Sequence, residues 1–343
     1  MSSTVEERAV DAVAGAGGAA GDGIRPIRAF ELEVSAVEQL TPHFRRITFR
    51  GADLDLFGSN ADGQTLDLRI KVMIPSPGHP LPALSADRGS LRDDWYQKWR
   101  ELDESVRGVM RTYTVRALRP AVAAAGGRPA VPAELDVDFV LHLDSGQADG
   151  SPGAASGPAA EWAAAAQPGD AMTVIGPCAR WGDCVGIEFA PGSAERVLLV
   201  GDETAVPAIA AILENLPEHV SGHAVLEVPS AADFLDLSVP PGVEVRWLAR
   251  GDGAHGESLA RSVGTIVVPA ACDVGEEPED VDVDATILWE TPAASSGHGL
   301  YAWLAGEAAT IRGLRRYLVR DVGMDRNSVA FMGYWRKGQA LPG

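Results

Sequence analysis

Arg196-Val197-Leu198-Leu199-Val200-Gly201-Asp202-Glu203-Thr204-Ala205-Val206-Pro207 is the stretch on which the fold turns. Its four consecutive apolar residues read as a buried strand, and Gly201 to Thr204 read as a turn. Pro207 suits a first helical turn, where a missing amide hydrogen costs nothing. Ile209, Ile212, Leu213 and Leu216 follow at i, i+3, i+4 and i+7, a helical stripe that Pro217 ends. Downstream, strands are expected over 223–228, 243–248 and 285–289, then a helix over 307–318 and a last strand over 329–332. Strand alternating with helix gives a βαβ domain, a Rossmann-like parallel α/β unit. The acidic run 273–284 reads as an exposed connection within it.

Upstream the pattern is different. Phe30-Glu31-Leu32-Glu33-Val34 and Arg46-Ile47-Thr48-Phe49 alternate at period two. So does 66–74 (LDLRIKVMI), with Leu66, Leu68, Ile70 and Val72 on one face and Arg69 and Lys71 on the other. Further strands are expected over 111–115, 135–143 and 172–175, the last after a Pro168-Gly169-Asp170 turn. Six or so strands at this spacing predict a closed antiparallel β-barrel. Two low-complexity inserts, 119–133 and 145–157, read as mobile surface loops. The resulting division is a disordered tail at 1–24, a barrel domain at 25–180 and the α/β domain at 193–343. The tail holds a GxGxxA look-alike (Gly15-Ala16-Gly17-Gly18-Ala19-Ala20), which follows no strand and so carries no dinucleotide signal. A barrel followed by such an α/β domain is the layout of ferredoxin-reductase-like flavoenzymes.

Composition narrows the function. The 343 residues are 46% hydrophobic and 22% charged, with a net charge of −19. Nucleic acid and anionic membrane both demand a basic surface, so both are excluded as expected partners. No apolar run approaches the roughly 18 residues that span a bilayer. The N-terminus carries Glu6, Glu7 and Asp11 and lacks a signal-peptide pattern. Cys178, Cys184 and Cys272 form no CxxC pair, so neither a disulfide framework nor a Cys-rich metal site is expected. The cytoplasm is the expected location, and a monomer the expected state.

Three constellations carry chemistry. In Arg111-Thr112-Tyr113-Thr114-Val115-Arg116, strand alternation puts Arg111 and Tyr113 on one face and Thr112 and Thr114 on the other. A flavin needs an aromatic plane beside its ring and a cation for its pyrophosphate, and one strand offers both here. The plain alternative is an ordinary amphipathic strand. Gly157-Pro158-Ala159-Ala160-Glu161-Trp162 opens an Ala-rich helix whose amide groups and dipole suit an anion. Gly157, Pro158, Ala159 and Ala160 then form a pyrophosphate cradle, while Trp162 either joins the cofactor site or fills the core. His142 lines the flavin or caps its strand. The third is the opening stretch: Gly201, Asp202, Glu203, Thr204 and Ala205 sit at the carboxyl edge of the first parallel strand, where such sheets bind nucleotides. Without the three-glycine fingerprint, a transient nicotinamide nucleotide fits better than a tightly held one. Asp202 and Glu203 have helix capping as their alternative role.

RTYTVR, GPAAEWA, VLLVGDETAVPAIAAILENLP, LEVPSAAD, WLAR and GYWRKG occur in the order expected of the siderophore-interacting protein family, which this chain resembles from Arg28 to Gly338. That family consists of FAD-dependent ferric-siderophore reductases. The resemblance implies that Arg111, Tyr113 and Thr114 hold FAD, with Tyr113 and Thr114 next to the isoalloxazine and Gly157 to Ala160 at the pyrophosphate. It places Gly201 to Ala205 at the nicotinamide site, and Lys71 with Arg336 or Lys337 in a basic substrate patch. The chain has three lysines among 29 basic residues, and two of the three fall at those substrate positions. Arg250 follows a strand and is a candidate for a 2′-phosphate, favouring NADPH over NADH; Glu307 is a further candidate for the nicotinamide site, with capping of the helix it starts as its alternative role. Two departures stand out. Cys178-Ala179 replaces the Arg-Gly usual after Gly176-Pro177, and the two inserts are longer than usual.

A nicotinamide gives two electrons as hydride and Fe(III) accepts one, a mismatch that a flavin resolves. Oxygen chelators hold Fe(III) better than Fe(II), so reduction releases the metal. The seven scattered histidines form no metal site or triad. NADPH, NADH or reduced ferredoxin is the donor. The rival readings are a general NAD(P)H:flavin or ferredoxin-type reductase with another acceptor, and a non-catalytic siderophore-binding protein.

Overall fold

The computed structural model describes residues 24–87, 89–141, 157–268, 289–290 and 299–338. The predicted tail up to 23, the insert 145–156 and the acidic run 273–284 lie outside the described residues. The chain divides into two compact units, one ending at Ile187 and the other beginning at Glu188.

In the first unit, seven strands make one antiparallel sheet: β1 (Ile27–Gln39), β2 (Phe44–Arg50), β3 (Arg69–Ile74), β6 (Val109–Thr114), β7 (Ala117–Arg119), β8 (Glu134–Val140) and β9 (Ala171–Pro177). A small hairpin, β4 (Ser85–Asp87) and β5 (Ser90–Leu91), precedes β6. The strand order is β6-β3-β9-β1-β2-β8-β7. Its two edges are consecutive in sequence. The chain leaves β6 at Thr114, turns at Val115-Arg116, whose amides donate to Leu68 and Asp136 carbonyls, and continues as β7 alongside β8. One piece of chain thus serves both edges and curls the sheet into a barrel.

Alternation decides what fills it. Phe30, Leu32, Ile47, Phe49, Ile70, Val72, Leu135, Val137 and Phe139 point inward and pack together. On the other face Ile27, Met73, Met110 and Ile175 are covered by Trp95 and Trp99 of a helix, α1 (Trp95–Glu101), that periodicity does not reveal. On β8 the outward Asp136 and Asp138 are 3% exposed because Arg46 and Arg119 of neighbouring strands and Arg116 of the turn before β7 cover them. Two expectations are corrected. The strand predicted over 66–74 starts at Arg69, since Leu66 has φ +48° and lies in the turn before it. The insert 119–133 is an exposed hairpin, with Val122 and Val131 exchanging backbone hydrogen bonds of 2.8 and 2.9 Å.

In the second unit β10 (Arg196–Gly201), β11 (Ser221–Val228), β12 (Val243–Ala249), β14 (Leu300–Glu307) and β15 (Val329–Trp335) are parallel, in the order β12-β11-β10-β14-β15. A two-residue strand, β13 (Trp289–Glu290), pairs antiparallel with β15. β14 lies at the centre of this sheet and is absent from the sequence reading, which placed a strand at 285–289 instead. Of that span only Trp289 is described, on the edge. Seven of the eight β14 residues are buried, so no alternation betrays it. The helix after β10, α3 (Val206–Asn215), is buried from Val206 to Leu213 on every face, more than the predicted single stripe. Helices α4 (Glu257–Ile266) and α5 (Ala308–Arg316) share one face of the sheet and pack on Leu198, Val200 and Leu304. Among the described residues no helix is long and apolar enough to cross a membrane.

Candidate functional site

The first unit brings together two of the predicted segments. Arg111 and Tyr113 stand opposite Val72 and Ile70 of β3, on the inward face, while Thr112 and Thr114 face outward. The half-buried Tyr113 ring lies 4.4 Å from Phe139, centroid to centroid. Burial raises its hydroxyl pKa above the ordinary phenol value, against the opposing charge of Arg111. Phe139 in turn lies 5.7 Å from Trp162, which stacks on Phe49 at 6.4 Å and 13°. Trp162 is half-buried, and its ring holds α2 (Pro158–Ala165) to the barrel core, the core-filling alternative of the two roles expected for it.

Gly157 caps α2 without any side-chain hydrogen bond, Pro158 follows at the first turn, and Ala159 and Ala160 are buried. Among the described residues, a Cβ built on Gly157 would meet nothing within 4 Å. At the other end Arg45 donates to the carbonyls of Ala164 and Ala166, at 2.8 and 3.4 Å. A cation is thus fixed at the negative end of the helix, and among the described residues no side chain caps the positive end. A guanidinium and a phenol ring on one strand, with an amide-bearing helix start tied to it through aromatic contacts, is a donor set that fits FAD. Thr114 is buried on the face opposite Tyr113, which weakens its expected place beside the flavin ring. His142 lies outside the described residues. At the departure from the family pattern, Cys178 is buried and pairs through its backbone with Phe57, the Ala179 amide donates to the Leu56 carbonyl, and the exposed Arg180 is the charged residue of the turn that the Trp181 amide closes on Cys178.

On the outer face Lys71 Nζ donates to Thr112 Oγ1 at 2.9 Å, beside a groove that Trp95, Ile175 and Val185 also line. Arg336 and Lys337 belong to the second unit, half-buried and exposed respectively, just beyond β15.

In the second unit the strand ends gather the predicted nucleotide residues. Gly201 has no room for a side chain, since a Cβ would fall 2.4 Å from that of Ala205. Asp202 is 1% exposed. One of its oxygens accepts from the Thr204 amide and hydroxyl (2.9 and 2.5 Å). The other accepts from the Glu307 amide (2.7 Å) and Trp335 Nε1 (2.9 Å), with His255 Nε2 at 3.4 Å. Gly306 allows this approach, because a Cβ there would lie 2.6 Å from the carboxylate. Burial, then the neighbouring charge of Glu203, pushes the Asp202 pKa up to about 6. Glu203 forms a two-pronged pair with Arg250, at 2.9 Å on each prong, and Arg250 also reaches Glu227 at 3.3 Å.

Helix capping as the role of Asp202 and Glu203 is thereby corrected: the cap of α3 is Ala205, and both carboxylates bind other strand ends. Glu307 does cap α5, accepting from the Thr310 amide at 2.9 Å. The candidacy of Arg250 for a 2′-phosphate meets an obstacle, because its guanidinium is already engaged by two buried carboxylates. Sequence reasoning missed Glu227, His255 and Trp335 as members of this cluster. Glu227 carried a signal, an acid at the end of the second strand some 20 residues beyond the nucleotide turn.

An antiparallel barrel with a flavin-type donor set, followed by a parallel sheet with a nucleotide-type edge, defines a ferredoxin-reductase-like fold. The ferredoxin NADP+ reductase of Neisseria gonorrhoeae shares that fold at 11% identity (TM-score 0.50, over 90% of this chain and 99% of that one). Residues 33–181 match the siderophore-interacting FAD-binding domain and residues 194–338 match the siderophore-interacting protein domain. An uncharacterized protein of Mycobacterium tuberculosis is 31% identical over 319 residues, 92% of either chain. The ferric vibriobactin reductase ViuB of Vibrio cholerae is 28% identical over 294 residues, 86% of this chain and 84% of its own. A siderophore utilization protein from T. fusca superposes with a TM-score of 0.62 at 28% identity, covering 92% of this chain and 96% of that one. The chain belongs to the siderophore-interacting protein family.

Proposed function

We propose that this protein is an FAD-dependent reductase that takes electrons from a reduced nicotinamide nucleotide and delivers them to Fe(III) in a ferric siderophore. The observation that carries this reading is that the similarity to ferric vibriobactin reductase runs through both units, the barrel and the parallel sheet. A bound flavin supplies what no side chain can, accepting a hydride and giving up electrons singly. The chain's own residues bind and orient. Arg111 and the first turn of α2 hold the pyrophosphate, and Tyr113 flanks the ring. Gly201 to Ala205 form the floor of the donor site. Lys71, Arg336 and Lys337 supply cations for an anionic ferric complex. A single chain in the cytoplasm suffices, with reduced ferredoxin as the alternative donor.

The test is anaerobic. Protein, donor and ferric siderophore are mixed, and Fe(II) is trapped with a colorimetric chelator. We expect Fe(II) to form only with protein and donor together, and Tyr113→Ala to lose flavin on dialysis while remaining folded. A purified chain that stays colourless and takes up no added FAD would overturn the proposal.

A further inference from the structure

We infer that the donor site selects the nicotinamide nucleotide lacking a 2′-phosphate, and that Glu203 and Glu227 set this preference by keeping Arg250 occupied. The inference rests on the donor reading above. In doubly wound sheets the adenosine ribose is read at the carboxyl end of the second strand. Here that strand is β11, ending Glu227-Val228. The Arg250 amide donates to the Val228 carbonyl at 2.9 Å, so Arg250 is the cation stationed at this strand end. Its charge is already answered twice, by Glu203 and by Glu227.

Two carboxylates against one guanidinium leave an excess negative charge, and Glu227 Oε2 has no hydrogen-bond donor among the described residues. Turning Arg250 outward to a phosphate would strand two carboxylates whose side chains are 3% and 0% exposed, a strongly unfavourable exchange. The turn after β11 offers nothing in its place. The Ser230 amide and hydroxyl, the natural donors for a phosphate there, both go to Asp233 Oδ2, at 3.0 and 2.8 Å. From Val228 to Val245 the sequence contains no Lys, Arg or His, but it does contain Asp233, Asp236 and Glu244. The next cation, Arg246, is held by Glu244 and by hydroxyls of Ser262 and Thr265 on α4. A 2′-phosphate at this strand end would therefore meet Glu203, Glu227 and an arginine committed to both, and like charges brought together weaken binding.

The test is equilibrium titration of the FAD-loaded protein with NAD+ and with NADP+, which bind without turnover. NAD+ is expected to bind at least about tenfold more tightly. Equal or tighter binding of NADP+ overturns the inference and leaves the donor reading intact. Binding of neither nucleotide overturns both. Glu203→Gln, which frees one arm of Arg250, should move the NAD+/NADP+ affinity ratio toward NADP+ by about fivefold or more. A ratio that does not move in a variant still binding NAD+ would sink the assignment to Glu203.

Discussion

At the scale of single residues, Asp202 shows how this chain uses buried charge. It accepts hydrogen bonds from its own turn, from β14 and from β15, and its pKa nevertheless rises to about 6 because burial and Glu203 both disfavour its charge. The folded protein thus holds this proton more tightly than the unfolded chain, where an aspartate titrates near 3.8. Stability contributed here is fully present below that lower value, falls as pH rises, and is gone above about 6. Urea unfolding of the wild type minus that of Asp202→Asn should therefore decline between about pH 4 and 6 and flatten above it, by at most about 3 kcal/mol. A flat difference across that range would contradict it. The legibility of the site also ends at this scale. Strand alternation placed Arg111 and Tyr113 on one face from sequence alone. It could not show that Trp162 is consumed by Phe49 and Phe139, nor that Arg250 is held by Glu203, 47 residues away.

Among the elements, α2 is the one whose placement the proposed flavin chemistry depends on most. Among the described residues no side chain caps its start, and its end is clasped by Arg45 of β2, so one side chain fixes the direction in which the helix dipole points. Arg45→Ala should cost about 0.5–1 kcal/mol in unfolding and should loosen FAD by a comparable factor, measurable as a faster loss of flavin fluorescence quenching on dilution. Arg45→Lys should restore part of both. Unchanged flavin retention in the alanine variant would mean that α2 takes no part in holding the pyrophosphate. Elements of this kind were legible where a local rule exists. Gly157-Pro158 announces a helix start, and the apolar run into Gly201-Asp202 announces strand and turn. β14 obeys no such rule, because a central parallel strand is buried on both faces and Leu300 to Glu307 show no period. α1 was hidden for the opposite reason: it is seven residues long, and only Trp95 and Trp99 of its face are buried.

For the whole molecule the governing quantity is its charge of −19, which repels the anionic complex it is proposed to reduce. Distance decides between that repulsion and the few local cations. At about 0.01 M salt the screening length is about 30 Å, so an approaching ferric complex feels the entire acidic surface. Near 0.15 M it shrinks to about 8 Å, which silences the remote carboxylates and spares Lys71 and its neighbours at the point of contact. Toward 1 M, at about 3 Å, the local attraction is screened as well. For an anionic ferric siderophore, kcat/KM should accordingly rise from low to moderate salt and then fall, whereas a neutral ferric complex should show little change. Lys71→Ala should lose the falling limb and keep the rise, because it removes local attraction without altering the long-range field appreciably. A kcat/KM that falls steadily from the lowest salt would mean that attraction dominates at every distance. In that case the net charge plays no part in substrate approach.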